Sequence, residues 1–204
     1  MRKHIGNIVI GGALAIASLT NLGFAQGPPP PPAPPAPGTP VSPVVASPTY
    51  VSIPLEVMVN KPAAEVWARV GKYCDIGEWL QVPCTLTSGK DGEFGTVRSI
   101  GGEVLVGKTE LSYTYTQTVK ANVPYNLYHG TLEARPVTAT TCKLVYTLVY
   151  DNSMLADDAA REKDKTQKAA TFQRALDNMK ILAEGGTLPP RPARGGRGGG
   201  APGR

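Results

Sequence analysis

Proline and glycine are distributed very unevenly along this chain, and their distribution limits which part can form a packed domain. The 204 residues include 20 prolines and 23 glycines, which crowd into residues 27–48 and residues 185–204. Proline lacks the backbone donor that a sheet needs, and glycine is costly to order, so such stretches rarely pack. The stretch between them, about 135 residues, is long enough to bury one core. The sequence therefore predicts a domain over residues 49–184, a Pro-rich disordered linker over residues 26–48 and a Gly/Arg/Pro-rich disordered tail over residues 185–204.

The net charge of +5 lies outside this domain. All 16 acidic residues but only 15 of the 21 basic ones fall between Thr49 and Glu184. The excess comes from Arg2 and Lys3 at the start and from four arginines in the tail. Basic proteins commonly bind nucleic acid or anionic membranes, but here only the tail has that character. We expect no nucleic-acid partner, and no more than weak contact of the arginine-rich tail with an anionic membrane.

The first 25 residues have the three parts of a secretory signal peptide. Arg2 and Lys3 are basic, residues 8–16 are apolar, and Gly23 and Ala25 place small side chains before a cut that leaves Gln26 first. The apolar run is shorter than the roughly 20 residues that cross a bilayer, which argues against the alternative of a membrane anchor. The sequence predicts cleavage after Ala25, a periplasmic or secreted location and no transmembrane segment in the mature chain.

Export changes how the three cysteines are interpreted. In an oxidising compartment, Cys74 and Cys84 are candidates for a disulfide, and two separately buried thiols are the alternative. Cys142 lies in an alternating strand pattern and is expected to be a small buried side chain. No histidine or carboxylate accompanies the cysteines at the spacing of a zinc site, so the sequence predicts no metal and no cofactor.

Two periodicities predict the secondary structure. Apolar residues alternate at Val51, Ile53, Leu55, Val57 and Val59, as in a half-buried strand. Asn60 is expected to cap a short helix, with Pro62 just inside it. We expect short helices at residues 63–70 and 75–80, further strands at residues 86–88, 95–100, 103–108, 110–119, 125–137 and 141–151, and a long helix at residues 155–183.

The long helix has an apolar stripe at three- and four-residue spacing, formed by Ala169, Phe172, Leu176, Met179 and Ala183. Gly185 and Gly186 are expected to end it. Only this helix is long enough to cover the concave face of a curved sheet. The sequence predicts an α+β helix-grip fold, with a curved antiparallel sheet of about seven strands around the C-terminal helix and two short helices after the first strand.

This element order resembles the START/Bet v 1-like superfamily and, more narrowly, its bacterial polyketide cyclase/dehydrase-like branch, also called SRPBCC proteins. The resemblance covers about residues 52–183. It is carried by residues 61–67 (KPAAEVW), the segment 75–79, residues 95–98 (GTVR), residues 126–128 (NLY) and residues 130–132 (GTL). Many relatives carry a Glu-Arg pair in the fourth strand, where this chain has Gly107 and Lys108, so a polar group near the cavity is expected to be missing.

The resemblance implies a cavity between the sheet and the long helix, which holds an apolar ligand through a few polar anchors. Strand alternation allows several tyrosines to face inward, with Trp79 near the entrance and Arg98 on the third strand. The alternative is that these aromatic residues are ordinary core. The candidate cavity residues are Trp79, Arg98, Tyr113, Tyr115, Tyr128, Tyr146, Phe172 and Met179.

Catalysis has weaker support in the sequence. His129 is the only histidine left after signal cleavage, and it neighbours Tyr128, so the two face opposite sides of a strand. No catalytic triad or phosphate-binding loop is present, and the catalytic residues stay unassigned. The favoured hypothesis is an exported protein that binds or carries a hydrophobic small molecule. A polyketide cyclase/dehydrase-like enzyme and an envelope interaction module that docks through its Pro-rich arm stay open.

Overall fold

The computed structural model describes residue 45, residues 47–119 and residues 125–190. The strands are β1 (Tyr50–Val59), β2 (Leu86–Ser88), β3 (Val97–Arg98), β4 (Glu103–Thr109), β5 (Ser112–Gln117), β6 (Tyr128–Pro136) and β7 (Cys142–Asp151). The helices are α1 (Ala63–Val70), α2 (Ile76–Trp79) and α3 (Asp158–Ala183). The predicted signal peptide and most of the predicted linker and tail lie outside the described residues.

The seven strands form one antiparallel sheet in the order β1-β7-β6-β5-β4-β3-β2. Each strand from β2 to β6 pairs with the next one along the chain, and β1 pairs with β7 at one edge of the sheet. Tyr50 lies opposite Asp151 and Val59 lies opposite Cys142, so the two longest strands are paired over their whole length. Together with α1 and α2 after β1 and α3 at the end, this order confirms the predicted helix-grip α+β fold.

The core lies between one face of the sheet and α3. Alternate residues of β7 are buried, among them Leu144, Tyr146 and Leu148, because successive side chains of a strand point to opposite faces. From α3, Leu176 and Met179 pack against this face and are fully buried. Each such aliphatic side chain contributes about 1.5–3 kcal/mol of burial free energy, so the apolar stripe fixes which side of α3 meets the sheet.

The cap of α1 and the start of α3 differ from the prediction, whereas α1 itself begins at Ala63 as expected. Asn60 does not cap α1: its backbone N–H donates to Glu184 Oε1 at 2.8 Å, and Pro62 occupies the capping position without a side-chain hydrogen bond. Helix α3 begins three residues later than expected, because Asp157 Oδ1 accepts the N–H of Ala160 at 2.7 Å. A side-chain acceptor at that point satisfies a backbone donor that the first turn leaves free.

The end of α3 is as predicted. Gly185 has φ +87°, and its N–H donates to the carbonyl of Leu182, while the N–H of Gly186 donates to the carbonyl of Ile181. This pair of hydrogen bonds is the Schellman motif, which needs a left-handed residue after the helix.

Candidate functional site

A buried ion pair lies on the inner face of the sheet. Arg98 ends β3 and Glu103 begins β4, and the two residues are 0% and 3% exposed. The Nε and Nη2 atoms of Arg98 both lie 2.6 Å from Glu103 Oε2, and Gln117 Nε2 donates to Glu103 Oε1 at 3.0 Å. Charges are removed from water at high cost unless they are paired and hydrogen-bonded, and these contacts meet that requirement.

Three tyrosine rings surround the Arg98 guanidinium. Its Cζ lies 4.3 Å from the ring centroid of Tyr73, 4.7 Å from that of Tyr115 and 5.7 Å from that of Tyr113. The Nη1 atom donates to the Tyr73 carbonyl at 2.7 Å and lies 3.4 Å from the Tyr113 hydroxyl. Ring faces attract a desolvated cation, so Arg98 is held from several sides at once.

The pKa values of this cluster indicate a charged arginine and neutral tyrosines at neutral pH. Burial lowers the pKa of Arg98, but its acidic and hydroxyl neighbours, Glu103 among them, together raise it above the ordinary value, so the guanidinium stays charged. Burial raises the pKa of Tyr113, and Arg98 offsets the increase only in part. Burial also raises the pKa of Tyr115 well above its usual range. At neutral pH these tyrosines are therefore hydrogen-bond donors and not bases.

The centre of the inner face is filled by rings. The hydroxyls of Tyr115 and Tyr146 share a short hydrogen bond, and Phe172 of α3 stacks on Tyr146 with centroids 4.5 Å apart and planes 14° apart. Tyr115 lies flat over Gly130, its partner in the next strand. A Cβ on Gly130 would come within 2.4 Å of the Tyr115 ring, so the glycine leaves the room that this ring occupies.

One cleft, the Trp67 cleft, opens between α1 and the β4–β5 end of the sheet and has a volume of about 320 Å³. Its aromatic and apolar walls are Trp67, Tyr73, Leu105 and Tyr113. The rings of Trp67 and Tyr113 lie 5.7 Å apart and are tilted by 52°. Tyr73 and Tyr113 line this cleft and also contact the buried Arg98.

Four charged side chains also line the Trp67 cleft, namely Lys72, Asp91, Lys108 and Glu110. Asp91 Oδ1 accepts the backbone N–H of Tyr73 at 2.9 Å. Within the part of the chain that the structure describes, neither lysine forms an ion pair. A Cβ on Gly92 would lie 3.3 Å from Lys108 Nζ, so this ammonium lies close over the glycine backbone.

The second cleft, the Lys168 cleft, lies between β6 and α3 and has a volume of about 230 Å³. Tyr128 and Phe172 line it beside Lys168. Lys168 Nζ donates to Asp164 Oδ1 at 2.7 Å and to the Tyr125 hydroxyl at 2.5 Å. It also lies over the rings of Tyr125, Tyr128 and Tyr150 at 4.3, 5.8 and 5.1 Å. The cation is thus already satisfied by the protein.

The third cleft, about 360 Å³, lies between α3 and the segment after α2. Trp79 lines it but is fully buried, and its carbonyl accepts Asn178 Nδ2 of α3 at 2.8 Å. The C-terminal segment closes one side, since the Gln81 amide donates to the Pro189 carbonyl at 2.8 Å. Trp79 is therefore covered by α3 and does not stand at an entrance, which corrects the sequence expectation.

The structure places the candidate residues on the inner side but not around one cavity. Tyr113 lines the Trp67 cleft, Tyr128 and Phe172 line the Lys168 cleft, and Trp79 lines the third. The other four line none of these clefts and are buried among the core rings; they are Arg98, Tyr115, Tyr146 and Met179. The expected space between the sheet and α3 is largely occupied, because Phe172 stacks on Tyr146 there.

Sequence reasoning missed three residues of the site. Glu103 supplies the acid of the buried pair. The polar group expected to be missing at Gly107 and Lys108 is therefore present at the start of the same strand, β4. The sequence patterns also did not indicate Trp67 or Tyr73 as residues that line a cleft. A charged residue directly after Gly101 and Gly102, with an arginine just before the same turn, is the signal in the sequence that indicates Glu103 as the partner of Arg98.

The cysteines and the histidine occupy distinct places. Cys74 and Cys84 are joined by a disulfide that ties the start of α2 to the segment before β2, and Cys142 is a buried free thiol. His129 is half-buried on the opposite face from Tyr128, and burial lowers its pKa. Among the residues that the structure covers, no cluster of three potential metal ligands occurs, and no helix has the length and hydropathy to cross a membrane.

Comparison with known proteins gives a match over the whole domain. A family model described as polyketide cyclase / dehydrase and lipid transport matches residues 50–184. No curated protein matches the chain significantly in sequence.

Solved structures share the fold at low sequence identity. A solution structure of a Thermobifida fusca protein is 23% identical, with a TM-score of 0.55, and the match covers 67% of this chain and 97% of that one. The Zhui aromatase/cyclase from a Streptomyces species is 16% identical, with a TM-score of 0.53 and coverage of 68% and 100%. Truncated norcoclaurine synthase from Thalictrum flavum is 12% identical, with a TM-score of 0.52 and coverage of 71% and 99%. At these identities the likeness extends to the fold alone.

Proposed function

We propose, from the premise that this chain belongs to the polyketide cyclase / dehydrase and lipid transport family, that it binds an apolar small molecule on the inner side of its sheet. The family description names lipids and polyketides, which are apolar or aromatic molecules. The observation that carries the proposal is the Trp67 cleft. Its volume of about 320 Å³ falls within the roughly 300–1,000 Å³ of small-molecule sites, and its lining includes three aromatic rings, those of Trp67, Tyr73 and Tyr113.

The polar groups behind the cleft are suited to orient such a ligand. Tyr113 forms the inner wall and contacts Arg98 at 3.4 Å on its other side. Because the pKa of Tyr113 is raised, its hydroxyl keeps its proton and donates to an oxygen acceptor. A ligand with a flat apolar body and a carbonyl or hydroxyl group therefore matches both the walls and the inner end.

A binding assay tests this function. We expect an apolar fluorescent probe, N-phenyl-1-naphthylamine, to bind saturably and to bind more weakly in Trp67→Ala. The matched control is Phe94→Ala, because Phe94 is an aromatic residue 66% exposed that does not line the cleft. Circular dichroism would verify that both variants fold. Equal probe affinity in the two folded variants would remove the Trp67 cleft from the account, and native mass spectrometry of the purified protein would identify a co-purified ligand.

Enzymatic turnover is a second candidate, favoured by the buried Arg98 beside Tyr113. Arg98 lines none of the clefts, but it contacts Tyr113, whose protonated hydroxyl would polarise a carbonyl oxygen, as cyclisation and dehydration of a polyketide-like substrate require. Turnover of such a substrate would fall sharply in Tyr113→Phe and in Tyr128→Phe if these hydroxyls take part. Unchanged rates in both variants would leave binding as the function.

Export is part of the proposal. The support is the three-part pattern of residues 1–25 together with the Cys74–Cys84 disulfide, since disulfides persist in oxidising compartments. Mass spectrometry of the protein from cell fractions tests it: the expected species begins at Gln26 and is found in the periplasm or the medium. A cytoplasmic species that keeps Met1 would contradict export.

A further inference from the structure

The charges around the Trp67 cleft bear on which ligand it takes. Lys72 and Lys108 line the cleft from two different elements, the turn after α1 and strand β4. No described carboxylate lies within ion-pair distance of either ammonium. Two acids, Asp91 and Glu110, also line the cleft, but neither forms an ion pair with a lysine, and Asp91 instead accepts the Tyr73 N–H at 2.9 Å.

Lys108 is the better placed of the two lysines. Its Nζ lies close to the position that a Gly92 side chain would take, 3.3 Å from the ideal Cβ, and Gly92 has φ +75°. A larger residue at this loop position would meet both the left-handed backbone and the ammonium. The loop therefore leaves room for the ammonium at the rim of an aromatic-walled cleft.

The rings favour a flat partner. Trp67 and Tyr113 face the cleft with centroids 5.7 Å apart and a 52° tilt, and Tyr73 meets Tyr113 edge to face at 5.5 Å. Tilted and edge-to-face ring contacts are favourable geometries for aromatic groups. A third ring in the cleft would extend this cluster, whereas a flexible acyl chain would gain only apolar contact.

We propose that the Trp67 cleft is selective for a planar aromatic acid, whose ring contacts Trp67 and Tyr113 and whose carboxylate pairs with Lys108 and Lys72. The inference rests on the proposed function and names the ligand class of the same site. It differs from binding of a neutral lipid or polyketide, which would make no use of the two lysines.

The test compares two probes of the same shape and different charge, 2-naphthoate and 2-naphthamide, by isothermal titration calorimetry on the full-length protein. We expect the acid to bind more tightly than the amide. Exposed ion pairs contribute about 0.2–1 kcal/mol, so Lys108→Gln is expected to weaken naphthoate binding about two- to five-fold and to leave naphthamide binding unchanged. Raising the salt concentration should reduce the preference, because salt screens exposed charges.

Two lysine variants serve as controls. Lys90→Gln removes a charge from the loop that carries Asp91 and Gly92, at a residue that does not line the cleft, and its naphthoate affinity should equal that of the wild type. Lys108→Arg keeps the charge and should retain most of the preference. Because the two tryptophans of the chain differ in exposure and Trp79 is fully buried, quenching by naphthoate that disappears in Trp67→Phe places the probe at this cleft.

The outcomes separate this inference from the function beneath it. Equal affinity for acid and amide, or the same loss in Lys90→Gln as in Lys108→Gln, overturns the acid preference while small-molecule binding stands. Failure of both probes, and of N-phenyl-1-naphthylamine, to bind saturably overturns the preference and the proposed function together.

Discussion

Gly130 shows how a missing side chain shapes the inner face. The Tyr115 ring occupies the volume that a Cβ would take, with ring atoms 2.4 Å from the ideal position. We expect Gly130→Ala to lower the free energy of unfolding by about 1–3 kcal/mol, the usual cost of overpacking, because the ring must leave its hydrogen bond with Tyr146. Urea denaturation measures the change. Gly107→Ala is the matched control in β4, since its Cβ would meet Thr114 at an ordinary 3.4 Å; equal losses in both variants would contradict the steric explanation.

Removal of one partner of the buried ion pair should be far more costly than removal of a surface partner. We expect Glu103→Ala to destabilise the domain by about 3–5 kcal/mol, because it leaves the Arg98 guanidinium buried and uncompensated. The exposed Arg69–Glu78 pair, whose atoms lie 2.7 Å apart, is the control, and Glu78→Ala should cost no more than about 1 kcal/mol. Chemical denaturation of both variants would show the difference, and similar values would argue against burial as the cause.

His129 should give the domain a pH dependence of its own. Burial lowers its pKa from 6.5, so the folded state binds fewer protons than the unfolded state below that pH. Stability is therefore expected to fall as the pH drops through and below 6.5. His129→Gln should flatten this part of the curve of unfolding free energy against pH. A slope that persists unchanged in the variant would assign it to other groups.

At the residue scale, strand alternation predicts which face of the sheet each side chain occupies. Tyr113, Tyr115, Tyr128 and Tyr146 all face inward and are buried, because the period of a strand fixes the face of each side chain. The pattern carries no information on whether a buried ring lines empty space or touches another ring. The pairing of Arg98 with Glu103 depends on the register between β3 and β4, which no single-strand pattern contains.

At the element scale, the type and order of the elements could be predicted more closely than their ends. Strands β1, β2 and β7 lie within a residue of their expected ends, whereas β3, β5 and β6 are shorter than expected. The start of α3 depends instead on which acid accepts a backbone N–H, and Asp157 does so although Leu155 begins the helical pattern. A cap is a local competition between neighbouring side chains, and periodicity does not decide it.

The disulfide makes α2 a fixed element despite its four residues. It closes a segment with a sequence separation of 10, and a loop of that size restricts the unfolded chain by about 2–3 kcal/mol. We expect the double variant Cys74→Ser, Cys84→Ser to lose that much unfolding free energy and to bind the naphthyl probes more weakly, because Tyr73 precedes the bridge. Thermal unfolding and titration measure the two effects.

The oxidised and reduced wild type provide the control for this prediction. Reductant should lower the stability of the wild type towards that of the double variant and should leave the variant unchanged. An equal response of both proteins would show that the reductant acts elsewhere, on the buried Cys142 for example.

At the scale of the whole molecule, the fold was predictable because pattern, turn residues and the terminal helix all indicate one architecture. The ligand space was not, since it depends on the volume that side chains leave after packing. The resemblance implies a cavity under α3, whereas the cleft lined by Trp67, Tyr73 and Tyr113 lies beside α1, with Gly71 and Gly92 in its lining. The volume of a cleft is the small difference between the space enclosed by the backbone and the volume that the side chains fill. Sequence patterns do not determine this difference.

Ligand binding at any inner cleft should stabilise the whole domain. A ligand at one hundred times its dissociation constant contributes about 2.7 kcal/mol if it binds only the folded state. For a domain of this size, that corresponds to a rise in Tm of roughly 5–10 °C. Differential scanning fluorimetry with 2-naphthoate and with its amide at matched saturation would measure it. A saturating ligand that leaves Tm unchanged would indicate binding to the unfolded chain as well.

The pairing of β1 with β7 determines when this domain can complete its folding. Thr49 and Asp151, which share a hydrogen bond, are separated by 102 residues, and the ten residues of β1 have their strand partner only at the end of the sheet sequence. Contacts between such distant residues slow folding, because a long loop must close before they form. During synthesis, β1 therefore emerges before the other strands and stays unpaired until β7 has been made. A nascent chain that ends before β7 exposes this unpaired strand to chaperones and to other nascent chains.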